Sequence, residues 1–498
     1  MDRHVDRYLS DLSGNLDMDN PRLAVILAAG HGKRIKSEKS KMLHEIWGKS
    51  TIERVTHAVE TGLNTDNIVF VLGIKAEDVL ESIPKKANYL FIYQSEQLGT
   101  GHAVKIAFDH PQLQQYQGRI YIFPGDIGLL TGELVAEFAD GFENSQDDMM
   151  VLTADYEGET ELNYYGRIIR VSEQDRDHLI MEPELVDKVI AIKEYKDINA
   201  LNDDQFMDFS YNSHCFRFSK SNLLEIPEFN TSILAFRSDH LPDYLQLIRS
   251  NNVQQEIYLT DLIEIYNQHQ RKVGAYKISD LSQVLGFNNK SVLKQMEHIY
   301  RTKVYDQLKD IIMIDNNELF FIADEVVKQI IEMDRTMGPL DISIGMNVHI
   351  GPEVRLNRRV RIENNCILAG RIEVGEGVQI GEHTMISAYP GQMVRIGDRC
   401  NLIGNDRIKG QVSLDHDCRI ESGVRITGSL ENPVQIGSNV LIKGTTYIYG
   451  CRIDPGILIE HSILRLKHIE AITRKDGTIQ PVRYILPVPQ GIDSLRDL

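Results

Sequence analysis

The chain has 498 residues, beyond the size at which a single hydrophobic core keeps growing, so two or more domains are expected. With 42% hydrophobic and 25% charged residues the composition is that of an ordinary globular protein. The formal net charge of -18 excludes a general nucleic-acid binder, which needs a basic surface, so a small anionic substrate would require a local basic pocket.

The opening stretch, residues 1–21, reads as an N-terminal arm without the apolar core of a signal peptide, and no apolar run approaches the length of a membrane span. A soluble, cytoplasmic protein is expected. From Arg22 to about Lys277 the segments "RLAVILAAG", "NIVFVLG", "YLFIYQ", "RIYIFPGD" and "MMVLTA" predict strands, and "KSTIERVTHAVETG", "GHAVKIAFDHP" and "TGELVAEFADGF" predict helices between them. That alternation predicts an α/β domain with a mostly parallel sheet and functional loops at the strand ends, over residues 22–300. "SVLKQMEHIYRTKVYDQLKDIIM" and "ELFFIADEVVKQIIEMD" predict connecting helices across 301–340.

The period then changes. Val348, Val354, Val360, Cys366, Ile372 and Val378 recur every sixth residue, with Ile350, Leu356, Ile362, Leu368, Val374, Ile380 and Ile386 two places on. The phase breaks near "SAYPGQ" and resumes at Val394. A six-residue unit of this kind predicts a parallel β-helix over 341–465, followed by a tail of irregular sequence, 466–498. Cys215, Cys366, Cys400, Cys418 and Cys451 stand singly, without zinc spacing, and read as small buried residues in a reducing compartment.

Chemistry is carried first by "LAAGHGKRIKSEKSKMLHEIWGKS", residues 27–50. Gly30 and Gly32 follow a strand, where backbone N–H groups can approach phosphate oxygens, and Lys33, Arg34 and Lys41 supply positive charge. Taken alone, the same pattern also describes a tight turn with solvated lysines. A second glycine-rich loop, "QSEQLGTGHAV", precedes a helix, and "FPGDIGLL" puts Asp126 at a strand end, where a carboxylate can hold a hard divalent cation.

Together these blocks resemble the sugar-1-phosphate nucleotidyltransferase superfamily, and within it the N-acetylglucosamine-1-phosphate uridylyltransferases. "LAAGHGKR", "SKMLHEIWGK" and "QSEQLGTGHA" match three family blocks, and "YYGRIIR", "AIKEYKD", "YNSHCF", "QQEIYLTDLI" and "VLGFNNK" follow in order. The resemblance spans about residues 22–300, and the hexapeptides extend it to the left-handed β-helices of related transferases. It implies a Rossmann-like nucleotidyltransferase domain followed by a left-handed parallel β-helix, usually trimeric.

The implied reaction is in-line attack of a sugar-1-phosphate oxygen on the α-phosphorus of a nucleoside triphosphate, UTP first among them, with release of pyrophosphate. The acceptor implied is N-acetylglucosamine-1-phosphate. Such a transfer asks the protein for positioning and charge neutralisation. By the resemblance, Arg34 neutralises the β and γ phosphates, and Lys41 lies against the α-phosphate and the sugar phosphate. Asp126 and Asn288 hold a magnesium ion, Mg2+. Leu27, Ala28, Ala29 and Gly30 support the base, Gln94 presents an amide donor and acceptor to the uracil edge, and Gly99 and Thr100 close on base and ribose. Gly166, Glu194 and Asn212 meet the sugar.

The chain departs from the family pattern at Lys33, Ser40 and Gly128, and at His214, which is expected to reshape the sugar pocket. The β-helix lacks blocks resembling R-L-R-P-G, G-H-L-x-Y-x-G-D or N-Y-D-G, which carry acetyl transfer in the bifunctional members, so an assembly scaffold without acetyltransferase activity is expected. Two other readings stand beside this one. One is nucleotidyl transfer to a different phosphate such as hexose-1-phosphate or phosphocholine; the other is a non-catalytic sugar-nucleotide sensor.

Overall fold

The apolar runs become strands: β1 (Arg22–Ala28), β2 (Ile68–Leu72), β3 (Tyr89–Tyr93), β4 (Arg119–Pro124) and β5 (Met149–Asp155). They are followed by β6 (Arg167–Arg170), β7 (Val189–Lys193), β8 (Phe206–Tyr211), β9 (His214–Ser219), β10 (Glu228–Arg237) and β11 (Val273–Ile278). This is a computed structural model, which describes residues 2–30, 32, 35–250 and 252–483. The chain divides into two compact units, residues 1–297 and 298–498.

In the first unit, nine strands form one sheet whose main path runs β11-β5-β10-β4-β1-β2-β3, with β6 joining β10 to β7. The pairs of β1 with β2 and β4, and of β2 with β3, are parallel, whereas β10 runs antiparallel between β4 and β5. Leu23 to Ile26 are fully buried because helices cover both faces, which is why these strands read as unbroken apolar runs. The helix Thr51–Leu63 begins in a capping box between Ser50 and Glu53. The chain leaves β1 toward β2 and β3 on one side and returns to β4 on the other. β1 and β4 therefore flank a topological switch point, the place where open α/β sheets put ligands.

The N-terminal arm is a helix, Asp2–Leu12, and an extended segment that covers the edge of β3. Gly14 donates its N–H to the Tyr89 carbonyl at 2.7 Å, and the Phe91 N–H donates to Ser13 Oγ at 2.9 Å. An exposed row of strand hydrogen-bonding groups is thereby closed.

The second unit is a left-handed parallel β-helix of three sheets, with nine, eight and seven strands. Ile344, Ile362, Ile380, Leu402, Ile420, Ile442 and Ile459 pair in succession along one sheet, and each is buried. Three of these six steps are eighteen residues, three hexapeptides per coil. The step from Val374 to Ile396 is longer because residues 388–393 loop out of one corner. Cys366, Cys400, Cys418 and Cys451 occupy buried inward positions as free thiols, while Cys215 in β9 is half-buried.

One predicted helix is corrected. Phe320–Ile322 in "ELFFIADEVVKQIIEMD" is a strand, paired with Val348–Ile350, and the helix starts only at Asp324. Stacking on the first coil overrides local helix preference, because Phe320 and Ile322 continue the inward aliphatic columns. The helix Asp324–Met337 then lies beside the first strand of the seven-stranded sheet. Gln329 Nε2 donates to the Leu356 carbonyl at 2.8 Å, and Gln329 Oε1 accepts from the Leu356 N–H at 3.4 Å.

Candidate active site

The loop after β1 and the loop after β4 open at the same end of the sheet, since Leu27 pairs with Pro124 and the Gly125 N–H donates to the Leu27 carbonyl at 3.0 Å. Ala28 and Ala29 are buried and Gly30 is exposed at the rim. Lys41 opens the short 3-10 turn Lys41–Leu43 and reaches back under Gly32. Ser40 stands there with φ −55°, inside the range a proline would impose, so the turn keeps its shape without the ring.

The Lys41 ammonium is 7% exposed by residue and sits between two oxygens. It forms an ion pair with the Asp126 carboxylate and donates to Asn288 Oδ1 at 3.1 Å. The Phe287 ring lies 5.3 Å from the ammonium on another side. Asn288 is free to do this because its neighbour Asn289 caps the following helix, accepting from the Val292 N–H at 2.9 Å. Asp126 and Asn288 thus aim hard oxygen donors at a single cationic point. Among the described residues no group of three or more His, Cys, Asp or Glu could hold a metal alone. Two protein oxygens fit a hard divalent ion that completes its shell with water and phosphate. Arg34 and Lys33 lie outside the described residues.

The second glycine loop is stitched to residues 256–259. Gly99 adopts φ +108°, and a Cβ there would come within 2.5 Å of the Ile257 carbonyl, so no other residue fits without movement. The Gly101 N–H donates to that same carbonyl at 2.8 Å, and the Thr100 hydroxyl accepts from the Leu259 N–H at 3.3 Å. Gln94, 3% exposed, ends β3 with its N–H on the Leu72 carbonyl. Its side-chain nitrogen is 3.1 Å from His102 Nδ1, on the first turn of the helix Thr100–Phe108. One of the two Gln94 side-chain N–H groups is therefore turned to His102.

Gly166 and Glu194 meet directly. A Cβ on Gly166 would stand 3.0 Å from Glu194 Oε1, close enough that the carboxylate would have to shift. The Glu194 carboxyl is pushed up to about 7, first by burial and then by the nearby carboxylates of Asp197, Asp261 and Glu256. Burial likewise raises Asp261, to about 6. Arg167 is fully buried, without a carboxylate partner among the described residues; it donates to Asn163 Oδ1 at 2.9 Å and to the Asn163 carbonyl at 2.8 Å.

Asn212 is not with them. It and Ser213 form the two-residue turn of the β8–β9 hairpin, with φ +45° and +67°, in a separate two-stranded sheet. His214 there pairs with Asp175 at 2.8 Å, so it does not reshape a pocket beside Gly166. The residue that does sit beside Gly166 is Asn230, whose N–H donates to the Gly166 carbonyl at 2.9 Å. Ser232, two places on, has φ +66°, the conformation that glycine favours, and the family block to which "YNSHCF" was matched reads I-N-T-G. The signal was available: "FNTS" at 229–232 keeps the Asn-Thr pair that "YNSH" lacks.

Residues 24–254 match the MobA-like NTP transferase domain family. The bifunctional protein GlmU of Streptococcus agalactiae is 30% identical over 423 residues, covering 85% of this chain and 76% of that protein. GlmU of Streptococcus uberis is 31% identical over 425 residues, covering 85% and 79%. GlmU of Streptococcus sanguinis is 34% identical over 284 residues, 57% of this chain and 53% of that protein.

Proposed function

This chain belongs to the sugar-1-phosphate nucleotidyltransferases of the GlmU type, and from that premise we propose that it transfers the uridylyl group of UTP to N-acetylglucosamine-1-phosphate in a magnesium-dependent reaction. The observation that carries the site is the seat of the Lys41 ammonium between Asp126 and Asn288, which come from positions 85 and 247 residues further along the chain. A buried lysine placed this way is positioned before substrate arrives, so little reorganisation is left for the moment of transfer.

In this reading Lys41 orients the α-phosphate and the sugar phosphate and stabilises charge as it shifts between them, and Arg34 meets the departing pyrophosphate. Asp126 and Asn288 would hold the magnesium ion, which supplies charge neutralisation on the phosphate oxygens. The backbone from Leu27 to Gly30 supports the base, Gln94 reads its edge, and Gly99 and Thr100 shape the wall over the ribose. Glu194 accepts from sugar hydroxyls, Gly166 leaves room for the ring, and Asn230 takes the place first given to Asn212. The β-helix assembles the chain into a homotrimer and does not transfer acetyl groups.

Purified protein incubated with each nucleoside triphosphate and a panel of sugar phosphates, with and without magnesium, tests the reading through pyrophosphate release. Release should be greatest with UTP and N-acetylglucosamine-1-phosphate and should stop on chelation. Release with another acceptor alone, or none with any pair, would overturn it.

A further inference from the structure

We infer that His102 is a positioning residue that sets which nucleobase the enzyme accepts, by holding the Gln94 carboxamide in one of its two orientations. The inference rests on the reading that Gln94 meets the base edge, and it adds the reason why that edge must be uracil.

A carboxamide is nearly symmetric in shape but opposite in polarity at its two ends, so a glutamine reads a base only if something fixes which end points outward. Gln94 is 3% exposed, and its backbone N–H is fixed on the Leu72 carbonyl at 2.7 Å. Its Nε2 lies 3.1 Å from His102 Nδ1. With the imidazole proton on Nε2, Nδ1 is an acceptor and the amide N–H donates to it. Among the described residues, Gln94 Oε1 has no hydrogen-bond partner, and it is absent from the fully enclosed unpaired atoms. The oxygen end of the carboxamide is therefore the end left without a partner, while Nε2 spends one of its two N–H groups on His102.

An acceptor at this position distinguishes the pyrimidines. Uracil carries a hydrogen on N3 and can donate it to Oε1, whereas cytosine N3 is itself an acceptor and would face the oxygen with like polarity. A site built to accept a hydrogen bond rejects a ligand that cannot donate one, because both polar groups are then left unpaired. His102 is well placed to hold this polarity, since its helix starts at Gly99 and is tied to Ile257 through the Gly101 N–H.

The test is the ratio of kcat/KM for UTP over CTP in the full chain, a quantity independent of how much of a preparation is folded. Three variants are compared with the parent: Gln94→Leu, His102→Leu and His102→Asn. His102→Leu should lower the ratio by about tenfold or more, because the carboxamide can then turn either way. His102→Asn offers a carbonyl oxygen in place of Nδ1 and should keep the ratio within about threefold of the parent. Two results overturn the inference: an unchanged ratio in His102→Leu, or a loss in His102→Asn as large as in His102→Leu. Gln94→Leu separates the premise from the inference. If it keeps the parental ratio, Gln94 does not read the base; if it loses the ratio while His102→Leu does not, only the role of His102 falls.

Discussion

Lys41 is held by Asp126 in a contact ion pair beneath the rim of the glycine loop after β1, with side-chain exposures of 9% and 20%. The pair is reached from outside, so removing either member leaves the other able to meet water. Lys41→Ala and Asp126→Ala should each lower turnover by about two to three orders of magnitude, the usual cost of a preorganised electrostatic group, while the melting temperature moves little. Pyrophosphate release and thermal melts on the same preparations check this. Near-parental turnover in either variant would remove that residue from the site.

Glu194 ties the proposed sugar pocket to pH. Its folded-state value, about 7, lies above the ordinary 4.5, so between those limits the folded chain holds a proton that the unfolded chain has released. Stability from this group is therefore greatest below about pH 4.5, declines as pH rises toward 7, and is flat above. Glu194→Gln, which stays neutral, should gain stability relative to the parent between pH 5 and pH 8, by on the order of 1–3 kcal/mol. Asp261 leaves a residual slope of the same sign. Denaturant melts at both pH values supply the comparison, and parallel profiles would count against the assignment.

Arg167 is a buried cation held by an amide oxygen and backbone carbonyls, with its Nε left without a partner among the described residues, and burial lowers its pKa from the ordinary guanidinium value. Through Asn163 it fixes the loop that delivers Gly166. Arg167→Met leaves those buried acceptors unpaired and should cost about 1–3 kcal/mol in stability. The surviving enzyme should show a raised KM for the sugar phosphate with a smaller change in KM for UTP. Equal changes in both would mean that Arg167 supports the unit as a whole and not the sugar loop.

For the β-helix, light scattering at micromolar concentration should give three times the chain mass, and a monomer would defeat the trimer. Acetyl-coenzyme A with glucosamine-1-phosphate should release no thiol above background. Measurable release would show that the β-helix carries chemistry of its own.

Period was the most legible property of this chain. Inward aliphatics at every sixth residue can have few structural meanings, and Ile344, Ile362 and Ile380 stack as that period requires. Phe320 and Ile322 escaped because a single rung has no period; only its stacking partner, Val348–Ile350, makes it a strand. In the site, residue type and block order brought Lys41, Asp126 and Asn288 to attention, yet their convergence is a property of the switch point between β1 and β4. Asn212 and Asn230 show the limit of matching blocks by a single asparagine. The hold of His102 on Gln94 spans only eight residues, but it depends on the turn at Gly99, which folds the helix back toward the strand end.

Gln329 has a wider consequence. A stack of rungs is in principle endless, since the first rung of each sheet presents the same hydrogen-bonding groups as every rung behind it. By giving Leu356 both a donor and an acceptor, the Gln329 carboxamide imitates one peptide unit of a rung that does not exist. At that place the seven-stranded ladder is closed by a side chain of the same protein, and its first rung offers one fewer peptide to a stray strand.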